Sequence, residues 1–115
     1  MTTLAQSDSA SLAAIVLNWN GGHETGDCLR SLAQVSWPDL QVVLADNGSV
    51  DGSVEQLEKE FSELVVLRHG ANLGFAEGNN RALAHAFDEL GVDWACLLNS
   101  DVTVTPEIFR ALIEG

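Results

Sequence analysis

Apolar residues in this chain fall in short runs that alternate with segments of three- and four-residue periodicity, and each run ends on a polar cluster. Ala13 to Trp19 is almost continuously apolar before Gly21-Gly22 stops it, the pattern of a strand covered on both faces. From Glu24 to Val35 the apolar positions Cys28, Leu29, Leu32, Ala33 and Val35 keep helical spacing, with acids in the first turn, and Trp37-Pro38 ends the helix. Leu40 to Ala45 predicts a second strand that stops at Asp46. Asp51 or Ser53 then caps a helix with Val54, Leu57 and Phe61 on its apolar face and Glu55, Glu58, Lys59 and Glu60 in solvent. Leu64 to Leu67 predicts a short third strand, followed by a loop from Arg68 to Gly74. Next comes a helix from about Glu77 to Leu90 with Leu83, Ala84, Phe87 and Leu90 as its apolar face. Trp94 to Leu98 reads as the fourth strand, and Pro106 opens a last helix through Leu112.

Strands alternating with helices form parallel sheets, and crossovers between parallel strands are overwhelmingly right-handed. The order β-α-β-α-β-α-β-α therefore predicts an α/β fold, a doubly wound, mostly parallel, Rossmann-like sheet. Such sheets bind ligands beyond the carboxyl ends of their strands. The clusters Asn18-Trp19-Asn20, Asp46-Asn47-Gly48-Ser49, Asn72-Leu73-Gly74-Phe75 and Asn99-Ser100-Asp101 are thus expected on one rim. Residues 1–12 are expected to form a flexible N-terminal segment and residues 13–115 a single domain.

Composition narrows the ligand. The chain has 115 residues, of which 46% are hydrophobic, enough for one core. No apolar stretch reaches the roughly 18 residues of a membrane span, and Met1 to Ser11 lack the features of a signal peptide. The expectation is a soluble, cytoplasmic piece whose parent protein is free to carry a membrane anchor elsewhere. Seventeen acids against five bases give a net charge of −12, which argues against nucleic acid and anionic lipid as partners. Cations near the rim are few, Arg68 and then Arg81, so a diphosphate bound there calls for a divalent metal. Cys28 and Cys96 have no neighbouring cysteine at metal-ligand spacing and read as small buried hydrophobes. His23, His69 and His85 show no metal or nucleophile pattern either.

Two common nucleotide sites are excluded. A G-x-G-x-x-G fingerprint would follow strand one, where Asn18-Trp19-Asn20-Gly21-Gly22-His23 stands instead. A Walker A loop is also missing, since the single lysine is Lys59.

Four segments occur in order: Ile15-Val16-Leu17-Asn18-Trp19-Asn20-Gly21, Asp46-Asn47-Gly48-Ser49-Val50-Asp51-Gly52-Ser53, Asn72-Leu73-Gly74-Phe75-Ala76-Glu77-Gly78-Asn79-Asn80 and Leu97-Leu98-Asn99-Ser100-Asp101. Together they resemble the amino-terminal half of a family 2 glycosyltransferase of the GT-A fold, in particular its rhamnosyltransferase-like branch. The resemblance implies that Leu17, Asn18, Trp19 and Asn20 lie along the base and ribose of a nucleotide sugar. It implies that Asp46 hydrogen-bonds the base and that Asn47, Gly48 and Ser49 shape the turn beside it. Asn72, Gly74 and Asn79 belong to the same implied donor site. Asn99, Ser100 and Asp101 match the D-x-D signature, with Asp101 the ligand of Mg²⁺ or Mn²⁺ and Asn99 an uncharged replacement of the first acid. The implied partners are a nucleotide-diphosphate sugar, with dTDP-rhamnose preferred, and a glycan or lipid-linked acceptor. The acceptor-binding half and the catalytic base are expected to lie outside these residues, so that the chain by itself binds donor and transfers nothing.

Plainer readings stand beside these. Asp46 and Asp101 also suit turn and loop positions. Trp19 reads equally as core filling or a base-stacking wall, and Asn79 and Asn80 equally as the start of a helix. Two further functions remain: a noncatalytic binding or assembly module, and a nucleotidyltransferase, against which the lack of a basic residue beside Gly21-Gly22 argues. A sheet ending after four strands also leaves an edge through which the chain is expected to self-associate.

Overall fold

The structure is a computed structural model describing residues 10–114. Four parallel strands, β1 (Leu12–Asn18), β2 (Leu40–Asp46), β3 (Val65–Arg68) and β4 (Trp94–Asn99), form one sheet in the order β3-β2-β1-β4. The chain steps outward from β1 through β2 to β3, then returns to the other side of β1 as β4. That reversal makes the sheet doubly wound and opens a crevice between the carboxyl ends of β1 and β4.

Two helices, α1 (Gly22–Leu32) and α2 (Ser53–Glu60), cover one face of the sheet, joined by α4 (Ile108–Glu114). Cys28, Leu29 and Leu32 of α1, Val54 and Leu57 of α2, and Phe109 of α4 meet Leu12, Ala14, Val16 and Leu44 of the sheet in one core. Phe109 is almost fully buried there, which contributes about 1.5–3 kcal/mol of apolar transfer free energy. Phe61, expected on the α2 face, ends that helix and packs against the same core. The opposite face is covered by α3 (Phe75–Ala84), whose last turn widens into a π-helical turn at His85–Glu89.

Here the structure departs from the predicted periodicity. The face of α3 that meets the sheet is Gly78, Asn79, Ala82 and Ala86, not Leu83, Ala84, Phe87 and Leu90. Ala84 and Phe87 are exposed, while Leu83 and Leu90 pack at the margin of the cluster. Small residues win because Ala13 and Ala45 beneath them are small too, letting helix and sheet approach closely. The π turn adds a residue to the helix and shifts the spacing on which the leucine face depends.

Element bounds shift elsewhere by a residue or two. β1 starts at Leu12 and ends at Asn18, leaving Trp19 outside it; α1 and α3 begin earlier than expected, and α4 begins at Ile108 after a turn at Pro106. Of the N-terminal segment expected to be flexible, residues 1–9 lie outside the described residues. Ala10 to Leu12, by contrast, are tied down. The Trp37 indole donates to the Ala10 carbonyl at 2.8 Å, Ser11 and Asp93 exchange hydrogen bonds, and the Leu12 N–H reaches the Asp39 carbonyl at 2.9 Å. Strand β4 is an edge, with Trp94 and Leu97 exposed along it. Among the described residues no helix is long and apolar enough to cross a membrane.

Candidate functional site

Parallel register fixes the rim. Asn18 lies opposite Asp46, and Leu17 opposite Asn99, so the three strand ends finish level with one another. The polar residues beyond them divide into a stitched support and an open cleft.

Asn18 is the centre of the support. It is fully buried; its amide nitrogen donates to Asp46 Oδ1 at 2.9 Å and to Ser49 Oγ at 3.1 Å. Its Oδ1 accepts from the Gly21 N–H at 3.1 Å and the Thr25 hydroxyl at 2.7 Å. Asp46, also buried, accepts the Ser49 N–H on its other oxygen at 2.9 Å and the Ser49 hydroxyl on Oδ1 at 2.5 Å. Asn20, the only non-glycine at positive φ among the described residues, donates its N–H to Ser49 Oγ at 2.8 Å and accepts the Val50 N–H at 2.9 Å. The loops after β1 and β2 are thereby one hydrogen-bonded unit, and a buried polar network that is fully paired is rigid.

Asp51 extends this unit to two helices. Its carboxylate accepts the Ser53 N–H at 3.0 Å and the Ser53 hydroxyl at 2.6 Å at the start of α2, and a backbone N–H from Gly22 at the start of α1. The Ser53 hydroxyl and these N–H groups favour the charged form and hold the carboxyl below its usual range.

The third loop joins through Asn47. Its side-chain nitrogen donates to the Gly74 carbonyl at 3.1 Å and to Asn72 Oδ1 at 3.4 Å, while Asn72 Oδ1 also accepts the Gly74 N–H at 3.0 Å. Gly74 sits at φ 84°, ψ 171°, a region open in practice to glycine. Gly48, at φ 82°, passes so close to Ala71 that a Cβ would lie 3.0 Å from its Cα. Asn47 Oδ1 is the one buried side-chain polar atom without a hydrogen-bond partner among the described residues, and it faces Gly78, where a Cβ would come within 2.8 Å. Asn79 is buried in the same first turns of α3.

The open cleft lies at the reversal point. A hollow of about 400 Å³ is lined by Leu17 from β1, Glu24 from the first turn of α1, Phe75 from the start of α3, and Asn99, Ser100 and Asp101 beyond β4. Four predicted site residues, Leu17, Asn99, Ser100 and Asp101, meet here. Asn18, Asn20, Asp46, Asn47, Gly48, Ser49, Asn72 and Gly74 build the support beside it, and Asn79 is buried in α3 outside the cleft lining. Trp19 stands on the rim, 57% exposed, which rules out core filling. Glu24 and Phe75 are not among the site residues expected from sequence. Arg68, expected as a rim cation, is turned to α2, where its guanidinium lies 2.6 Å from Glu58.

Electrostatically the cleft is acidic. Burial, and then the charge of Asp101, push the nearby Cys28 thiol up to about 11, so it stays protonated. Burial raises the Cys96 thiol as well. Among the described residues no group of three or more His, Cys, Asp or Glu side chains is arranged to hold a metal. One carboxylate at Asp101, a second at Glu24, and neutral oxygens on Asn99 and Ser100 suit a hard divalent cation that takes its remaining ligands from phosphate and water. A larger hollow, about 650 Å³ between the carboxyl end of α1 and that of α2, contains Leu29, Leu32, Trp37 and Phe61 and none of the rim residues.

Comparison with known proteins agrees with this architecture. The chain is 29% identical over 111 residues to the N-acetylglucosaminyl-diphospho-decaprenol L-rhamnosyltransferase of Mycobacterium tuberculosis, covering 90% of this chain and 36% of that protein. It is 29% identical over 105 residues to the uncharacterized glycosyltransferase YibD of Escherichia coli, covering 89% of this chain and 29% of that one. The chain therefore spans about a third of the length of the curated relatives it matches. Among solved structures, S. aureus TarS 1-349 superposes with a TM-score of 0.76 at 23% identity, covering 89% of this chain and 31% of that one. The mannosyltransferase PcManGT from Pyrobaculum calidifontis, solved with GDP-Man and Mn²⁺, gives 0.77 at 20% identity over 90% of this chain and 31% of its own. The family described as Glycosyl transferase family 2 matches residues 13–115, nearly the whole sheet and its rim, and the chain belongs to that family.

Proposed function

We propose that this chain is the donor-binding part of a glycosyltransferase that moves a sugar from a nucleotide diphosphate to a glycan or lipid-linked acceptor. The observation that carries the reading is the cleft between the ends of β1 and β4, where Asp101 meets Leu17, Asn99 and Ser100 at the reversal of strand order. Open α/β sheets take their ligands at that position. dTDP-rhamnose is the preferred donor, supported by the activity in the name of the mycobacterial relative.

On this reading Asp101, with Glu24, Asn99 and Ser100 lining the same cleft, would hold a Mg²⁺ or Mn²⁺ ion for the diphosphate. Bound there, the cation would offset negative charge that builds on the leaving diphosphate as the anomeric carbon is attacked. Asn99 and Ser100 donate hydrogen bonds to donor oxygens without adding charge. The stitched support of Asn18, Asp46, Ser49 and Asn20 fixes the loop ends before donor arrives, so little ordering is left to bind against. Asp46 acts through this support: both its oxygens are already engaged, and its part is to hold the rim turn beside the base. The base that deprotonates the acceptor hydroxyl is assigned to the remaining two thirds of such proteins.

Isothermal titration of dTDP, UDP and GDP, each with and without Mn²⁺, tests the assignment. Metal-dependent binding of at least one is expected. Absent or metal-independent binding of all of them would favour a noncatalytic module instead.

A further inference from the structure

Phe75 is an exposed aromatic held in a rigid place. Its side chain is 62% exposed and belongs to neither apolar cluster of the core. Yet the turn that presents it is fixed on both sides. Gly74 before it is locked by Asn72 and Asn47, and three residues later Gly78 packs so tightly that an added Cβ would lie 2.8 Å from Asn47 Oδ1 and 2.9 Å from Leu17 Cδ1. Leaving a large apolar side chain in water is costly. Nothing in the packing of the fold repays that placement.

What the ring faces is informative. With Leu17 it forms the apolar wall of the cleft, and the rest of the lining is hydrogen-bonding: Glu24, Asn99, Ser100 and Asp101. A pyranose matches this division, since its hydroxyls radiate from the edge while one face presents C–H groups that pack on an aromatic ring. A nucleobase could stack on the ring too, but its edge offers few hydrogen-bonding groups to the four polar residues that line the rest of the cleft. The rim supplies a separate exposed aromatic for a base in Trp19, which lies outside this cleft.

We infer that Phe75 is a specificity-determining residue that packs against the apolar face of the donor's sugar, opposite the carboxylates that meet its hydroxyls and diphosphate. The inference rests on the donor-site reading above and adds the part of the donor that the ring touches.

Titrations of the full chain in Mn²⁺ separate the two. The probes are dTDP, UDP and GDP against dTDP-rhamnose, UDP-glucose and GDP-mannose, with wild type, Phe75→Ala and Phe75→Leu, and folding checked by circular dichroism. For the base that binds, Phe75→Ala is expected to leave the free diphosphate within about twofold and to weaken its sugar conjugate by about tenfold, with Phe75→Leu between. Equal weakening of diphosphate and conjugate would overturn the inference while sparing the donor site, because the ring would then contact the nucleotide. Unchanged binding of both would overturn it as well. Failure of every diphosphate to bind wild type would remove the donor site and the inference together.

Discussion

Asn18 and Asp46 stand opposite one another in the β1–β2 register and are joined side chain to side chain by a 2.9 Å hydrogen bond sealed from solvent. This bond couples the first two loops of the rim and makes Asn18 a positioning residue. Replacing Asn18 with Leu would take one of three donors from the Asp46 carboxylate, which keeps the Ser49 N–H and hydroxyl, and would leave the buried Thr25 hydroxyl without its acceptor, at about 1–3 kcal/mol for a buried group left unpaired. Chemical denaturation should show a lower midpoint with an unchanged slope. A loss under about 0.5 kcal/mol, the range of ordinary surface changes, would show that the network carries no weight.

Gly78 and Gly52 make a controlled pair. A Cβ added at Gly78 would meet Asn47 and Leu17 inside 3 Å, whereas Gly52 has open space around it but a φ of 79°. Gly78→Ala should cost about 1–3 kcal/mol through overpacking and should disturb the cleft through Leu17 and Phe75. Gly52→Ala should cost about 1 kcal/mol through backbone strain alone and leave the cleft as it was. Thermal unfolding together with diphosphate titration of both variants checks the contrast; similar effects on binding would refute it.

The Asp51 carboxylate predicts an acid-side dependence. Its folded pKa is lowered by the Ser53 and Gly22 donors, so its contribution is present above the unfolded value and is lost as pH falls through the folded one. Because the group is solvent-accessible, screening keeps the effect below about 1 kcal/mol. Denaturation of wild type and Asp51→Asn at pH 7 and pH 3 should show the stability gap narrowing at low pH. A gap that widens there would reverse the sign.

The thiols should be inert. Burial and the Asp101 charge push Cys28 up to about 11, and burial raises Cys96. Neither should react with a disulfide reagent at pH 8 until the chain unfolds, because the thiolate is the reactive species. Rapid labelling of Cys28 in the native state would contradict the packing of α1 against the end of β4.

Much of this was legible in the sequence. Unbroken apolar runs such as Ala13 to Leu17 and Val42 to Ala45 mark the buried parallel strands, and the polar cluster after each marks the rim. What the runs do not say is which polar side chain turns inward. Asn18 and Asp46 close the last strand positions with their side chains in the interior, whereas Trp19 has left the strand; that choice depends on where pairing stops. Glu24 reads in the sequence as an acid favouring the α1 dipole, which it is. Its place in the cleft lining follows only because the first turn of α1 borders the crevice beside β4. The face of α3 escapes the periodicity because that pattern weighs large side chains, while close helix–sheet packing selects glycine and alanine. Among the described residues β4 is an outer strand of the sheet, and sedimentation at high concentration is the check on the proposed self-association through it.

The central claim is that Asp101 binds a diphosphate through a divalent cation, and Asp101→Asn tests it most directly. The variant keeps the shape of the side chain, and because Asp101 is exposed its unfolding midpoint should match wild type. Titrated with the nucleoside diphosphate that wild type binds, it should lose affinity roughly tenfold, about 1.4 kcal/mol, in the presence of Mn²⁺ and little without it. An equal loss with and without the metal would contradict the account.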